Sequence, residues 1–420
     1  MNSGPTLIRG GTVLSLGAKT PNFTEADVLI RDGKVAEVGP GLRARDAEVV
    51  DATDTIVMPG FVDTHRHASR ALFRYLGDLP ADAYAPHFQP DDVYAATLIG
   101  LLGALEAGIT TVVDWADAPR EDAFTEAALQ AHSDAGLRTV LAANLPDQTA
   151  ANPLHTRALG SVDVSLANRE RIATDWKRAR EMGLRIHAHA GLDVSDSGLL
   201  AELAGQQLLG SDVTLVHCSQ LGGTDLDAIA ASGAAVSLAP SAEMAGGLGT
   251  PPLQLLLDRR LEPGLAIDDE RISPGDMFSQ MRVTNSIQHA AYFDLKLAGK
   301  AGLPNLLTTR DVIRYGTIVG ARTIGLDEIT GSLEVGKQAD VIVLRTDRPN
   351  VYPINDPIGA VVWGVDTSNV DWVFVGGRPL MRSGELEADV TRARSLAATA
   401  QERVLGAAGR LAGTGVGEER

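Results

Sequence analysis

The chain has 420 residues, 44% hydrophobic and 4% aromatic, with a formal charge of −17 and a single cysteine, Cys218. At about 100–200 residues per domain, this length suits a core of about 250–300 residues with an appendage. The acidic balance excludes nucleic acid and anionic membranes as partners, since both draw on clustered Lys and Arg. One cysteine allows no internal disulfide, which fits a reducing, cytoplasmic setting. The N-terminal stretch carries acidic residues and no apolar leader core, and no apolar run reaches the about 18 residues of a bilayer span.

In chain order, Thr6 to Val57 reads as short strands separated by turns, with Asp32-Gly33 a hairpin signal between extended runs. Next comes Met58-Pro59-Gly60-Phe61-Val62-Asp63-Thr64-His65-Arg66-His67. It sets two imidazoles two residues apart at the end of an apolar strand, where both point to one face and can grip one ion. From Phe61 to about Gly325 apolar strands alternate with helices. The expected order is helix Asp91 to Ala107, strand Ile109 to Asp114, helix Glu121 to Ala135 and strand Leu137 to Ala142. After these come helix Arg169 to Met182, strand Leu184 to His189, helix Gly198 to Leu208, strand Val213 to His217, helix Thr224 to Ser232 and strand Ala234 to Leu238. The irregular stretch Leu145 to Leu166 should hold the fourth strand, and Gly264 to Asp268 the last. Such alternation implies parallel strands joined by crossovers, closed into a (β/α)₈ TIM-like barrel. Beyond Gly331 the strands become short again, so both chain ends should build one small composite β-sandwich domain. The expected division is 1–58 with 326–384 for that domain, 59–325 for the barrel and 385–420 for a C-terminal helix and a frayed tail.

In barrels of this kind the C-terminal strand ends carry the site. His65, His67, His189, His217 and Asp268 all fall at such ends, and packing does not explain five polar residues ending apolar strands. Neutral imidazoles with one carboxylate form a set that a divalent ion such as zinc accepts, with a place left for water. Cys218 follows His217 directly and should face away as a packed thiol.

The chain resembles the amidohydrolase superfamily, and within it the cytosine deaminase and chlorohydrolase-like group. The resemblance rests on Pro59 to His67, the Gly-Ile-Thr-Thr-Val-Val-Asp stretch from Gly108 to Asp114, and Gly331 to Asp340. It implies His65, His67, His189 and Asp268 as ligands of a single Zn²⁺ or Fe²⁺, with His217 contacting the attacking water or the substrate. Asp268 would accept the water's proton and pass it to the leaving group. The implied activity is hydrolysis at an sp² carbon of a small cyclic or conjugated substrate, foremost a deamination. A dechlorinase, a cyclic amide or amine hydrolase, and a catalytically silent scaffold are the alternatives. A homodimer is the assembly that the resemblance suggests. A two-metal site bridged by a modified lysine is disfavoured, because no lysine occurs between Lys34 and Lys177.

Departures from the group bear on the chemistry. Many of its deaminases carry Glu three residues after the third histidine, whereas this chain has Leu192, which cannot carry a proton. Glu243, in a Pro-x-x-Glu segment before Gly246-Gly247-Leu248-Gly249, is the candidate to take over the acid role. The competing reading pairs Glu243 with Arg70, Arg74 or Arg282. Arg66 should be a structural partner. Arg70 and Arg74, spaced i, i+4, could face a substrate carboxylate or carbonyl, and Met277 and Phe278 could pack on a flat ring. Solvated arginines and ordinary helix-core packing are the respective alternatives.

Overall fold

The computed structural model describes residues 4–77, 79, 81–116, 122–143 and 152–409. Among these residues the strands form two sheets. The first is mixed and nine-stranded. It takes β1 (Thr6–Val13), β2 (Phe23–Arg31), β3 (Lys34–Gly39), β4 (Glu48–Asp51) and β5 (Thr55–Pro59) from the N-terminal part. The second comprises β6 (Phe61–Arg66), β7 (Ile109–Trp115), β8 (Arg138–Ala143), β9 (His155–Gly160), β10 (Arg185–Ala190), β11 (Val213–His217), β12 (Ala235–Leu238) and β13 (Gly264–Leu265). Then β14 (Val341–Arg345), β15 (Val370–Val375), β16 (Arg378–Arg382) and β17 (Glu385–Leu386) return to the first sheet.

The chain ends meet because β14 runs antiparallel to β5, with Val343 opposite Val57. The β2–β3 hairpin turns at Asp32 and Gly33, both at positive φ (49° and 75°), as a two-residue turn of this hand requires.

The second sheet is all-parallel, with successive strands paired in chain order. The long helix Pro90–Glu106 shows how its crossovers are defined. Proline occupies the first turn, and Gln89 and Asp92 form a reciprocal capping box. Val62, Val113, Val140, Ala142 and Ala158 form an apolar cluster inside the barrel, with Trp115 packed against it.

Closure occurs between the first and last strands. Only Gly264 and Leu265 ladder as β13, and beyond them the seam is held by an Arg66–Asp268 bridge. Asp268 N donates to His65 O (2.9 Å) and His67 N to Asp268 O (3.0 Å). Thr64 Oγ1 donates to Leu265 O (2.9 Å), and Ile267 N to Asp63 Oδ1 (3.0 Å). Gly264 is required at this approach, since a Cβ there would lie 2.6 Å from Thr64 Cγ2.

The expected elements recur with small shifts of their ends. The fourth strand is His155–Gly160, inside the irregular stretch, of which 145–151 lies outside the described residues. Two expectations need correction. The last barrel strand stops at Leu265 because the chain turns to place Asp268. The C-terminal helix begins at Val390, because Glu385–Leu386 pairs with β16. The tail from 410 onward lies outside the described residues. No helix of the described residues is long and apolar enough to cross a membrane.

The two sheets are joined by a buried pair in which Arg138 Nε and Nη2 reach Asp340 Oδ2 and Oδ1 at 2.7 and 3.1 Å. Asp340 Oδ1 also accepts from Gly376 N (2.7 Å). Removing one member leaves the other charge buried, so Arg138→Met should lower unfolding free energy by about 3–5 kcal/mol. Denaturant titration checks this, and a loss near zero would mean that the pair contributes nothing to holding the sheets together.

Candidate metal centre

Four strand ends deliver the site. His65 and His67 come from the end of β6, His187 and His189 from β10 and His217 from the end of β11, while Asp268 follows β13. Nε2 of His65 lies 3.2 Å from Nε2 of His67 and 3.2 Å from Nε2 of His189. One ligand atom from each of these three histidines falls within 4.8 Å of the others. Asp268 Oδ1 is 3.4 Å from His65 Nε2 and 3.3 Å from His67 Nε2.

One proton on His65 Nε2 could serve only one of its two imidazole contacts, and opposed lone pairs repel. A cation at their centre accepts all of them, so the residues fit a metal of the zinc type. Burial pushes the imidazoles of His65 and His189 below their ordinary range, which favours the neutral, ligating form. Burial opposes ionisation of Asp268. Its contacts with His65 and His67, and the charge of His217, outweigh this and hold the carboxyl well below the usual range.

The far nitrogens of three imidazoles are also engaged. His189 Nδ1 lies 3.0 Å from Asp163 Oδ1, His65 Nδ1 lies 3.2 Å from His187 Nε2, and His217 Nδ1 lies 3.2 Å from Glu243 Oε1. His217 Nε2 faces Asp268 Oδ2 at 4.0 Å. Glu243 is fully buried, and its Oε1 also accepts from Ala239 N (2.9 Å), while Oε2 has no hydrogen-bond partner. Burial raises the Glu243 carboxyl against the opposing effect of His217. For His217, burial lowers the pKa, but Glu243 and Asp268 together raise it above the ordinary value.

His217 (φ 73°), Cys218 (φ 60°) and Asp268 (φ 64°) adopt the left-handed conformation, which costs of order 1–3 kcal/mol each for such residues. The turn at His217 and Cys218 ends the strand alternation at that point. Cys218 is buried in the core, and burial pushes its thiol up.

Several expected residues are engaged by other parts of the protein. Arg70 Nη1 reaches Asp269 Oδ2 (2.9 Å) and Arg74 Nε reaches Glu270 Oε2 (3.1 Å). Their shared face is thus turned to the carboxylates that follow Asp268. Met277 and Phe278 are fully buried at the start of the helix Met277–Leu297. Phe278 packs edge-on against Phe61, 5.0 Å between centroids, at the opposite end of β6 from His65. Helix-core packing therefore replaces the expected ring contact. Arg282 donates to Val362 O and Val365 O, so Glu243 pairs with a histidine and not with an arginine. Asp193 is exposed and caps Ser195 N.

Sequence reasoning passed over Asp163, His187 and Trp115. The Trp115 ring is partly buried and 4.3 Å from that of His189, with the His65, His187 and His67 rings at 5.7, 6.1 and 6.4 Å. Continuing the alternation of β7 one step past Asp114 would have turned Trp115 inward. Asp163 follows the fourth strand, His155–Gly160, in the stretch whose sequence is least regular.

Known proteins resemble this chain in sequence and in fold. The sequence profile described as "Amidohydrolase family" matches residues 56–204 and 176–380. The chain is 28% identical to a 5'-deoxyadenosine deaminase of Methanothermobacter thermautotrophicus, across 92% of this chain and 95% of that protein. It is 26% identical to a 5-methylthioadenosine/S-adenosylhomocysteine deaminase of Syntrophus aciditrophicus, across 92% and 94%. An adenosine deaminase from Xanthomonas campestris, solved with bound zinc, shares the fold at a TM-score of 0.82 and 22% identity, covering 96% and 98%. An atrazine chlorohydrolase from Arthrobacter aurescens TC1, complexed with zinc, shares it at 0.81 and 21%, covering 94% and 100%.

Behind the ligands, Arg66 is fully buried. Its Nε donates to Asp63 Oδ2 (2.7 Å), Nη1 to Glu270 Oε1 (3.1 Å) and Nη2 to Gly275 O (3.1 Å). Arg66→Met would leave Asp63 with backbone donors and no cation, and Glu270 with Arg74 alone, and should destabilise the fold by about 3–5 kcal/mol. Urea unfolding reads this directly. A change under about 1 kcal/mol would show that the seam does not depend on the arginine.

Proposed function

The chain belongs to the amidohydrolase family, and on that premise we propose that it is a mononuclear metal-dependent aminohydrolase that deaminates a small cyclic substrate at an sp² carbon. The observation that carries this reading is the convergence of His65, His67 and His189 nitrogens with Asp268 at one barrel mouth. These four residues would hold one divalent ion, zinc in our reading, with Fe²⁺ accepting the same donors. Such an ion lowers the pKa of water from about 16 to about 7 and so supplies a nucleophile at neutral pH.

The remaining work falls to side chains. Asp268 accepts the water's proton and returns it to the departing amine. His217, whose Nε2 faces Asp268, orients the attacking water or the oxygen that gains charge. Glu243 holds the proton of His217 at Nδ1 and thereby fixes which nitrogen faces the reacting atoms. Its Oε1 is committed to His217 and Ala239, so the acid function that Leu192 cannot perform is assigned to the pair: His217 as imidazolium gives its Nε2 proton to the substrate, while its Nδ1 proton stays hydrogen-bonded to Glu243.

The relatives named above are deaminases of adenosine-type compounds, which makes a 6-aminopurine nucleoside the first class to test. Leu192 favours one competing reading, dechlorination, because chloride departs without a proton.

The zinc-loaded protein should release ammonia from at least one member of a panel of 5'-deoxyadenosine, 5-methylthioadenosine, cytosine, a pterin and melamine. A chelator should abolish the activity and added zinc restore it. Chloride release from a chlorotriazine with no ammonia from any amine would replace deamination by dechlorination. With zinc content intact, Glu243→Gln should lower kcat by about 100-fold, the usual weight of general acid–base assistance. Unchanged turnover would remove Glu243 from the mechanism.

A further inference from the structure

His187 is a site group that neither the ligand set nor the proposed proton transfers use. It lies two residues before His189 on β10, so both side chains share the inner face, with His187 about 7 Å deeper in the barrel. Only 3% of it is exposed. Its Nε2 lies 3.2 Å from His65 Nδ1, and the two rings are inclined by 16° with centroids 5.4 Å apart. Rings so nearly parallel, with two nitrogens at this distance, suit an N–H···N hydrogen bond.

The tautomers follow from His65. To present a lone pair to a cation at Nε2, where it meets His67, His189 and Asp268, His65 must carry its proton on Nδ1. That proton needs an acceptor, and His187 Nε2 stands at hydrogen-bond distance. His187 must then be neutral, with its own proton on Nδ1. We infer that His187 is a positioning residue, the acceptor that locks the ring orientation and tautomer of His65 for metal binding. The inference rests on the metal-dependent reading given above.

The choice of histidine has a physical reason. His189 and His217 are partnered by carboxylates, Asp163 and Glu243. His187 instead lies inside the barrel, with its ring 6.1 Å from that of Trp115, which packs on the interior apolar cluster. A carboxylate there would be a buried anion facing a single N–H, a costly arrangement. A neutral acceptor fixes His65 without adding a further carboxylate to Asp268 and Asp163 around the ligands.

The test compares full-length His187→Leu and His187→Gln with the parent protein, using zinc affinity from competition with a chromophoric chelator. Circular dichroism and thermal unfolding of the metal-free forms report folding. Removing an outer hydrogen bond to a metal-bound histidine costs about 10–100-fold in affinity. His187→Leu should show that loss, and His187→Gln, whose amide oxygen can accept the same proton, should recover most of it. A folded leucine variant with parental affinity, or equal losses in both variants, overturns the inference. If the leucine variant does not fold, the glutamine variant decides: near-parental affinity supports the role, and a tenfold or greater loss contradicts it. A parent protein that binds no zinc would defeat the metal-dependent reading itself, an outcome distinct from all of these.

Discussion

The constraint on which the rest depends is that closing the barrel and assembling the site are one event. The closing strand ladders for two residues, and the seam continues through Asp268, which exchanges backbone hydrogen bonds with His65 and His67 on either side of Arg66. The two outer ligands of the first strand and the carboxylate of the last are thus spaced by peptide geometry before any ion is present. His189 completes the set from β10, on the opposite side of the barrel ring from the seam.

This arrangement carries costs that the surroundings offset. Asp268 and His217 sit in the left-handed region, where short polar side chains such as Asp are tolerated better than bulky ones. Asp63 accepts from Ile267 N and from Arg66, and Arg66 spans to Glu270. Arg74 and Arg70 then hold Glu270 and Asp269. The segment after Asp268 is therefore clamped from behind by cations that begin at the first strand. Strain at the functional residues persists because this network and the apolar interior leave the chain no other packing.

Much of this was legible in the sequence, for definite reasons. Helical and strand periodicities gave the alternation, and the barrel rule then placed His65, His67, His189, His217 and Asp268 at one mouth. Partners that depend on tertiary approach were not legible. His187 shares a strand face with His189, but its contact with His65 spans 122 residues of sequence. The arginines satisfied the spacing for a shared face, yet that face meets Asp269 and Glu270, some 200 residues away. Met277 and Phe278 followed a loop near Asp268, but the Asp276 cap starts a helix whose first turn points them into the core. Periodicity reports which face a residue takes and not what stands opposite it.

The central claim is that one cation lies among three imidazoles and one carboxylate at the barrel seam. Anomalous diffraction at the zinc edge from crystals of the zinc-loaded protein tests it most directly. The account predicts one peak per chain at about 2.0–2.2 Å from His65, His67 and His189 nitrogens and an Asp268 oxygen. A fully loaded protein whose peak lies elsewhere, or beyond bonding distance of His189 or Asp268, would contradict it.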